Sequence, residues 1–254
     1  MHTIIPYSLI VLFMLPHAAI ANDVAPGKPD KEVSWSYDND YTGQEEWGLL
    51  ATAFAACGIG TQQSPIHISY TEEVRADIPM FSYSDTEIDV RNIGYTFELN
   101  PSKKMAYEES GKKYFLKSIQ FHTPSEHVVK DTFFPMEIQF FHEDDEGKKL
   151  IVAVFAKIGT SSDGLDTVLD VIPTKQGITK KVRYNPALLL PYSFAHYAYP
   201  GSLTTPPCTE GIEWRIMKKT ITLSKEQMMK LAQFTRRNAR LVQPVYMRTV
   251  KEVN

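Results

Sequence analysis

The sequence predicts a mostly β protein with short helices, an α+β arrangement in which strands form the core. Between residues 64 and 160, short runs alternate apolar and polar residues and are separated by Asn, Pro, Gly, Asp or Ser. A late helix has a clear start, because Ser224-Lys225-Glu226-Gln227 matches a capping box and helically spaced apolar residues follow it. The length of 254 residues favours one large domain.

The predicted strands carry the strongest local signal. They are the runs IHIS, EIDVRNI, YTFELN, YFLKSIQFHT, MEIQFFHE and KLIVAVFAKI. Within YFLKSIQFHT, Gln120 and His122 share one strand face, whereas Phe121 points to the other face. A second, shorter helix is predicted around residues 163 to 171. The sequence contains neither an internal repeat nor a linker that would divide the chain.

The amino-terminal segment predicts export. Residues 1–21 contain an apolar run from Leu9 to Leu15 and end in Ala-Ile-Ala, a cleavage pattern of small residues, which is typical of a signal peptide. Pro16 and His17 interrupt the run well short of the about 20 apolar residues that a membrane span needs. Residues 22–34 are polar and form a predicted mobile leader, and residues 35–254 form the domain. We therefore expect a periplasmic or secreted protein without a membrane span after cleavage.

Composition excludes a nucleic-acid-binding role. The net charge is -3, the isoelectric point is near 6.2, and no Lys or Arg cluster is interleaved with aromatic residues. The two cysteines, Cys57 and Cys208, do not form a C-x-x-C motif. In an exported protein an even count favours a disulfide, and two unrelated buried thiols are the alternative.

A set of long segments spans almost all of the predicted domain. The segments are WSYDND, EEW, CGIGTQQSPIHI, YFLKSIQFHTPSEH, MEIQFFHEDDEG, YAYPGSLTTPPCTEGIEW, the capped helix at Ser224, and NARLVQP. Together they resemble the α-class carbonic anhydrases of the exported bacterial type. The resemblance implies a large twisted, mainly antiparallel sheet of about ten strands with short helices around it. It also implies a Cys57–Cys208 disulfide, and cis peptides at Ser64-Pro65 and Pro206-Pro207.

The resemblance also locates the zinc-ligand positions. The family binds zinc through H-x-H on one strand and a further histidine on the next strand. In this chain Gln120, His122 and Gln139 occupy those positions. The flanking segments keep the family spacing without a gap, so a shifted alignment cannot restore a histidine. The resemblance assigns the remaining histidines of the mature chain to structural or remote positions: His67, His127, His142 and His196.

Two amides in place of imidazoles change what the site can bind. A glutamine oxygen is a hard, weak donor that suits Ca²⁺ or Mg²⁺ better than zinc. Because loss of even a supporting partner costs about 10- to 100-fold in metal affinity, we expect no resident cofactor. Without zinc, no remaining group lowers the pKa of a water to about 7. A hard-cation site is disfavoured because, apart from Glu126, no carboxylate cluster accompanies the two glutamines.

Other positions of the family's active site are retained. The resemblance implies that Thr204 donates a hydrogen bond to Glu126 and so orients a zinc-bound hydroxide, or else that both residues serve the fold alone. Tyr95 stands at the proton-shuttle position, a task for which a group with a pKa near about 10 is poorly matched. The implied pocket consists of Phe141, Ile151, Leu203, Thr205 and Trp214, with Phe141 larger than the usual aliphatic residue.

Two functions are compatible with these residues. The favoured hypothesis is a carbonic-anhydrase-related protein that has lost zinc binding and carbon dioxide hydration, or retains them severely impaired, and acts as a binding module. Its partner would be an unidentified protein or surface ligand. The alternative is a working enzyme that hydrates carbon dioxide to bicarbonate and a proton, with zinc held by His122, two glutamine oxygens and water.

Overall fold

The computed structural model describes residues 33–235 and 237–254. Residues 34–254 form one compact unit. The predicted signal peptide (1–21) and almost all of the predicted leader (22–34) lie outside the described residues. Within those described residues, no helix is both long enough and apolar enough to cross a bilayer.

Strands dominate the described chain, as the sequence predicts. They are β1 (His67–Ile68), β2 (Glu72–Glu73), β3 (Met80–Ser82), β4 (Thr86–Asn92), β5 (Phe97–Pro101), β6 (Ala106–Glu109), β7 (Lys112–His122), β8 (Val128–Val129), β9 (Met136–Glu143), β10 (Lys149–Ile158), β11 (Thr179–Tyr184), β12 (His196–Ser202), β13 (Glu210–Met217), β14 (Ile221–Leu223) and β15 (Lys251–Val253). The long strands β7, β9 and β10 coincide with three of the predicted runs, and β10 is apolar and buried on both faces.

The helices are short and peripheral. They are α1 (Trp47–Leu50), α2 (Ala56–Ile59), α3 (Leu165–Leu169) and α4 (Lys225–Thr235), with 3-10 turns at Thr52–Phe54 and Pro186–Leu189. The predicted capping box starts α4. The backbone N–H of Gln227 donates to Ser224 Oγ at 3.1 Å, and the backbone N–H of Ser224 donates to Gln227 Oε1 at 3.2 Å. Sequence analysis missed α1 and α2, because four residues are too few to show a helical period.

Among the described residues, thirteen strands form one sheet, and β1 pairs with β8 in a separate parallel pair. The main order is β11-β4-β5-β7-β9-β10-β13-β12-β15-β2, with β14 on β10 and with β6 joining β3 to β7. The mostly β prediction is confirmed. The sheet has more than the expected ten or so strands because β2, β3, β14 and β15 have only two or three residues, too few to give a period-2 signal. It is mixed, since β10 runs parallel to β13 and β14, and β15 runs parallel to β2.

Two apolar clusters pack on opposite faces of the central strands. The larger cluster contains Ile119, Phe121, Ile138 and Phe140, and it extends to α4 through Leu231. The second cluster lies on the other face, where Ile151, Phe155 and Trp214 are buried. Because side chains alternate along a strand, the residues between those of the larger cluster on β7 and β9 face the second cluster. These intervening residues include Gln120, His122 and Gln139.

The covalent prediction is confirmed. Cys57 and Cys208 form a disulfide with their Cα atoms 5.1 Å apart. It joins α2 to the turn between β12 and β13 across a separation of 151 residues. Cis peptides occur at Ser64-Pro65 and Pro206-Pro207, as the resemblance implied, and also at Thr123-Pro124.

Candidate functional site

Strand register brings the three predicted ligand positions together. Gln120 on β7 is directly opposite Gln139 on β9, and His122 is directly opposite Glu137. Directly opposed residues of an antiparallel pair lie on the same sheet face, so these four side chains form one patch. On the other side of β7, Glu98 of β5 is paired with Gln120 and extends the patch.

His122 is completely buried and has a defined tautomer. Its Nδ1 lies 2.7 Å from the backbone oxygen of Asn238. A carbonyl oxygen can only accept, so Nδ1 carries a hydrogen, and in the neutral imidazole Nε2 then has a free lone pair. Nε2 is buried and has no hydrogen-bond partner in the part of the chain that the structure describes. The imidazole therefore presents an acceptor to the patch.

Gln139 is also completely buried, and two carboxylates fix its orientation. Its Nε2 donates to Glu126 Oε2 at 2.7 Å and to Glu137 Oε1 at 3.0 Å. A carboxylate accepts, so the amide nitrogen must face both acids and the amide oxygen must face away. Gln139 Oε1 is buried and, within residues 33–235 and 237–254, has no hydrogen-bond partner.

Gln120 is half-buried and is oriented by a third acid. Its Nε2 donates to Glu98 Oε1 at 2.8 Å. The same reasoning turns its Oε1 away from Glu98. Each of the three predicted ligand positions thus directs an N–H group at a protein acceptor and leaves an acceptor atom free.

Glu137 anchors the floor of the patch. Its carboxylate accepts the backbone N–H groups of Glu126 and His127 at 3.0 and 2.8 Å, and His127 Nδ1 lies 2.9 Å from Oε1. Burial acts to raise the pKa of Glu137, but attraction to His127 and its hydrogen bonds outweigh it, so the pKa lies below the usual range. The other ring nitrogen of His127 is 2.6 Å from the hydroxyl of Tyr199.

Glu126 has different partners from those that the resemblance implies. Its Oε1 accepts the backbone N–H of Arg240 at 2.8 Å, and its Oε2 accepts Gln139. Thr204 is buried in the turn after β12. Within the described residues its hydroxyl forms no hydrogen bond with Glu126. The amide of Gln139 takes a place on the carboxylate instead.

Four of the five implied pocket residues belong to the second apolar cluster. Ile151 and Trp214 are buried in the second cluster, and the half-buried Phe141 and Leu203 pack against it. Phe141 follows Gln139 on the same face of β9 and lies opposite Ser118. Thr205 is half-buried in the turn beside Thr204.

Tyr95 lies in an aromatic group at the edge of the site. Its ring centroid is 4.9 Å from that of Trp35 and 5.9 Å from that of Tyr37. Burial, with a smaller contribution from the charge of Glu98, raises the pKa of Tyr95 far above its usual value. The phenol is therefore neutral near pH 7 and unsuited to carrying protons.

The donor set does not fit a zinc centre. Structural and catalytic zinc sites use at least three ligands drawn from His, Cys and carboxylates. No group of three such side chains able to hold a metal ion occurs among the described residues. At the predicted position one imidazole nitrogen is accompanied by two amide oxygens, which are hard and neutral donors. The nearby carboxylates Glu126 and Glu137 are occupied by N–H donors.

Sequence analysis missed several residues that shape the site. Glu137 could have been found, because it precedes Gln139 by two residues on the same strand face. Glu98 required the β5–β7 register, and Asn238 lies 116 residues from His122 in the chain. A separate groove of about 480 Å³, lined among others by His67, Tyr70 and Tyr246, contains none of the predicted site residues.

The fold and the site together define a mostly β protein with a buried polar patch on one face of the central strands β7 and β9. When histidines supply the donors, a patch of this kind can hold a metal ion. The family model for eukaryotic-type carbonic anhydrase matches residues 42–254. The chain belongs to this family, whose α-class members include a carbonic anhydrase of Photobacterium profundum.

Individual relatives agree with this assignment. The chain is 36% identical over 226 residues to a carbonic anhydrase of Neisseria gonorrhoeae, which covers 86% of this chain and 87% of the relative. It is similar to the structure of the Photobacterium profundum α-carbonic anhydrase, with a TM-score of 0.81, 37% identity and coverage of 86% and 100%. It is also similar to a structure of dioscorin complexed with ascorbate, with a TM-score of 0.81, 31% identity and coverage of 86% and 97%.

Proposed function

We propose that this protein is a carbonic-anhydrase-related protein in which zinc binding and carbon dioxide hydration are lost or severely impaired, and that it acts as a binding module. The observation that carries the proposal is the donor set: Gln120 and Gln139 stand where histidines are needed, and their amides are tied to carboxylates. A metal at His122 would gain only two weak oxygen donors from these side chains.

The environment of Glu126 supports the same conclusion. Hydroxide chemistry on zinc would use Thr204 and Glu126 as an orienting pair, but Gln139 occupies Glu126 Oε2. Tyr95 does not supply a proton carrier, since its pKa is raised far above neutral. Three requirements of the hydratase reaction are therefore weakened in one site: the zinc ligands, the hydroxide-orienting pair and the proton carrier.

Export and binding complete the proposal. A Cys57–Cys208 disulfide fits an oxidising compartment, and with the predicted signal peptide it supports a periplasmic or secreted protein. The partner would be a protein or a ligand presented outside the cytoplasm. The similarity to dioscorin complexed with ascorbate supports a role in binding for this fold.

The alternative is an active zinc carbonic anhydrase with a non-standard ligand set. Two observations favour it: His122 Nε2 is buried without a hydrogen-bond partner among the described residues, and Thr204 and Glu126 are retained. The bacterial relatives named carbonic anhydrase support it as well.

Elemental analysis combined with a hydration assay separates the two functions. We expect purified mature protein to hold far less than one zinc per chain, before and after exposure to excess zinc, and to show no hydration. The double variant Gln120→His/Gln139→His is expected to bind zinc at one ion per chain. Adding His122→Ala to that double variant is the matched control and should abolish the gain. One tightly held zinc per wild-type chain with measurable hydration would overturn the proposal.

A further inference from the structure

Three neighbouring side chains of the site each leave an acceptor atom without a hydrogen bond. Each has its N–H group directed at a partner that can only accept: the Asn238 carbonyl for His122, two carboxylates for Gln139, and Glu98 for Gln120. The acceptors that remain are His122 Nε2 and the Oε1 atoms of the two glutamines, and the second N–H of the half-buried Gln120 has no partner among the described residues. Strand register places Gln120 opposite Gln139, with His122 two residues further along β7.

Two of these acceptor atoms lack a hydrogen bond in the protein interior, where an unpaired polar atom is destabilising. His122 Nε2 and Gln139 Oε1 are buried without a partner in the described chain. A buried acceptor without a hydrogen bond is destabilising, and such atoms are uncommon in folded proteins. A ligand that donates several hydrogen bonds from one centre would satisfy both, together with the half-buried Gln120.

The carboxylates around these acceptors favour a cationic ligand over a neutral hydrogen-bond donor. Glu98, Glu126 and Glu137 are bonded directly to these amides. Opposing them are His127, paired with Glu137, and the buried guanidinium of Arg240, which donates to Gln63, Ser64 and Cys57. With His122 neutral, three carboxylates therefore face at most two cations among the described residues, and the balance is negative.

We propose that this site binds the ammonium group of a primary alkylamine through His122 Nε2, Gln139 Oε1 and Gln120 Oε1. A primary ammonium has three N–H donors and no acceptor, which matches in number the three neighbouring acceptors. A single water has two donors and would leave one acceptor unpaired, and a quaternary ammonium has none. The alkyl chain would lie toward the partly exposed Phe141 and Leu203, which offer apolar surface.

This inference rests on the proposed function, because a zinc ion at His122 would occupy the same lone pair. The test therefore uses wild-type protein treated with a chelator, with zinc content measured on the same sample. Calorimetric titration with n-butylammonium chloride is compared with tetramethylammonium chloride and 1-butanol at constant ionic strength. We expect saturable binding of n-butylammonium and none of the other two.

A pair of variants locates the binding. Gln120→Leu removes one acceptor at a half-buried position and is expected to weaken n-butylammonium binding by about tenfold or more, since hydrogen bonds to charged groups contribute about 1.5–3 kcal/mol. Gln62→Leu, at an exposed glutamine outside the site, is the matched control and should leave the affinity unchanged. In wild-type protein, the ¹⁵N resonance of His122 Nε2 should shift on titration with the amine.

Several results would overturn the proposal. They are an absence of n-butylammonium binding to metal-free wild type, equal binding of tetramethylammonium, and an affinity unchanged by Gln120→Leu. The proposed function fails on a different result, namely stoichiometric zinc with hydration before chelation. The two failures are therefore distinguishable in one set of samples.

Discussion

The side-chain amide of Gln139 donates a hydrogen bond of 2.7 Å to the carboxylate of Glu126, and both side chains are buried. The same nitrogen donates to Glu137 at 3.0 Å. One amide thus bridges two buried carboxylates from the position where the family places a zinc histidine. Because a buried charge without a donor is costly, this glutamine also contributes to the stability of the sheet.

Removal of that bridge should be strongly destabilising. Gln139→Leu keeps a similar volume but leaves each carboxylate with one hydrogen bond fewer, so we expect the free energy of unfolding to fall by about 2–4 kcal/mol. Urea denaturation followed by circular dichroism measures the change.

The matched comparison is Gln120→Leu, which loses one hydrogen bond, to Glu98, at a half-buried position. Its cost should be about 0.5–1.5 kcal/mol. If both variants lose the same free energy of unfolding, the bridge between Glu126 and Glu137 contributes no more than a single hydrogen bond.

Acid sensitivity should depend on His142. Burial lowers the pKa of His142 to about 3, whereas its pKa in the unfolded chain is about 6.5. The unfolded state therefore binds more protons below that value, and the free energy of unfolding should fall as the pH drops from about 6.5 toward about 3. The slope from this one group approaches about 1.4 kcal/mol per pH unit.

The variant His142→Gln isolates this contribution. Other buried groups contribute in both proteins, including His196, whose pKa burial also lowers, and Glu137. The difference between wild type and variant should therefore grow in favour of the variant as the pH falls below about 6.5. Parallel curves of urea midpoint against pH would contradict the assignment.

The disulfide should matter more for stability than for the site. It closes a loop with a sequence separation of 151 residues, for which the chain-entropy model gives about 5 kcal/mol. The double variant Cys57→Ser/Cys208→Ser should unfold at a lower denaturant concentration than wild type. If reduction of wild type with dithiothreitol gives a midpoint equal to that of the oxidised protein, the bond is not a major stabilising element.

The helix cap gives a smaller and more local prediction. Ser224→Ala removes the oxygen that accepts the Gln227 amide at the start of α4, and loss of such a cap costs about 1 kcal/mol. Ser224→Thr retains a hydroxyl and should cost less. Thermal denaturation of the three proteins orders them, and equal midpoints would show that α4 is held by packing through Leu231 rather than by its cap.

Local sequence patterns predicted the main elements well. The runs YFLKSIQFHT, MEIQFFHE and KLIVAVFAKI each form a long central strand, namely β7, β9 and β10. The strands of two or three residues, such as β2 and β14, were outside the reach of pattern reasoning, because their pairing comes from neighbours distant in sequence. For the same reason the thirteen-stranded sheet within the described residues exceeds the expected size.

The sequence by itself determined the fold family, the disulfide pair and the two glutamines at the ligand positions, because residue identity and spacing are local properties. The tertiary structure alone decided how those side chains are oriented. The partner of His122 lies 116 residues away and that of Gln120 lies on β5. A side chain turns its donors toward whichever acceptor the fold brings within about 3 Å, and no local pattern encodes that distance.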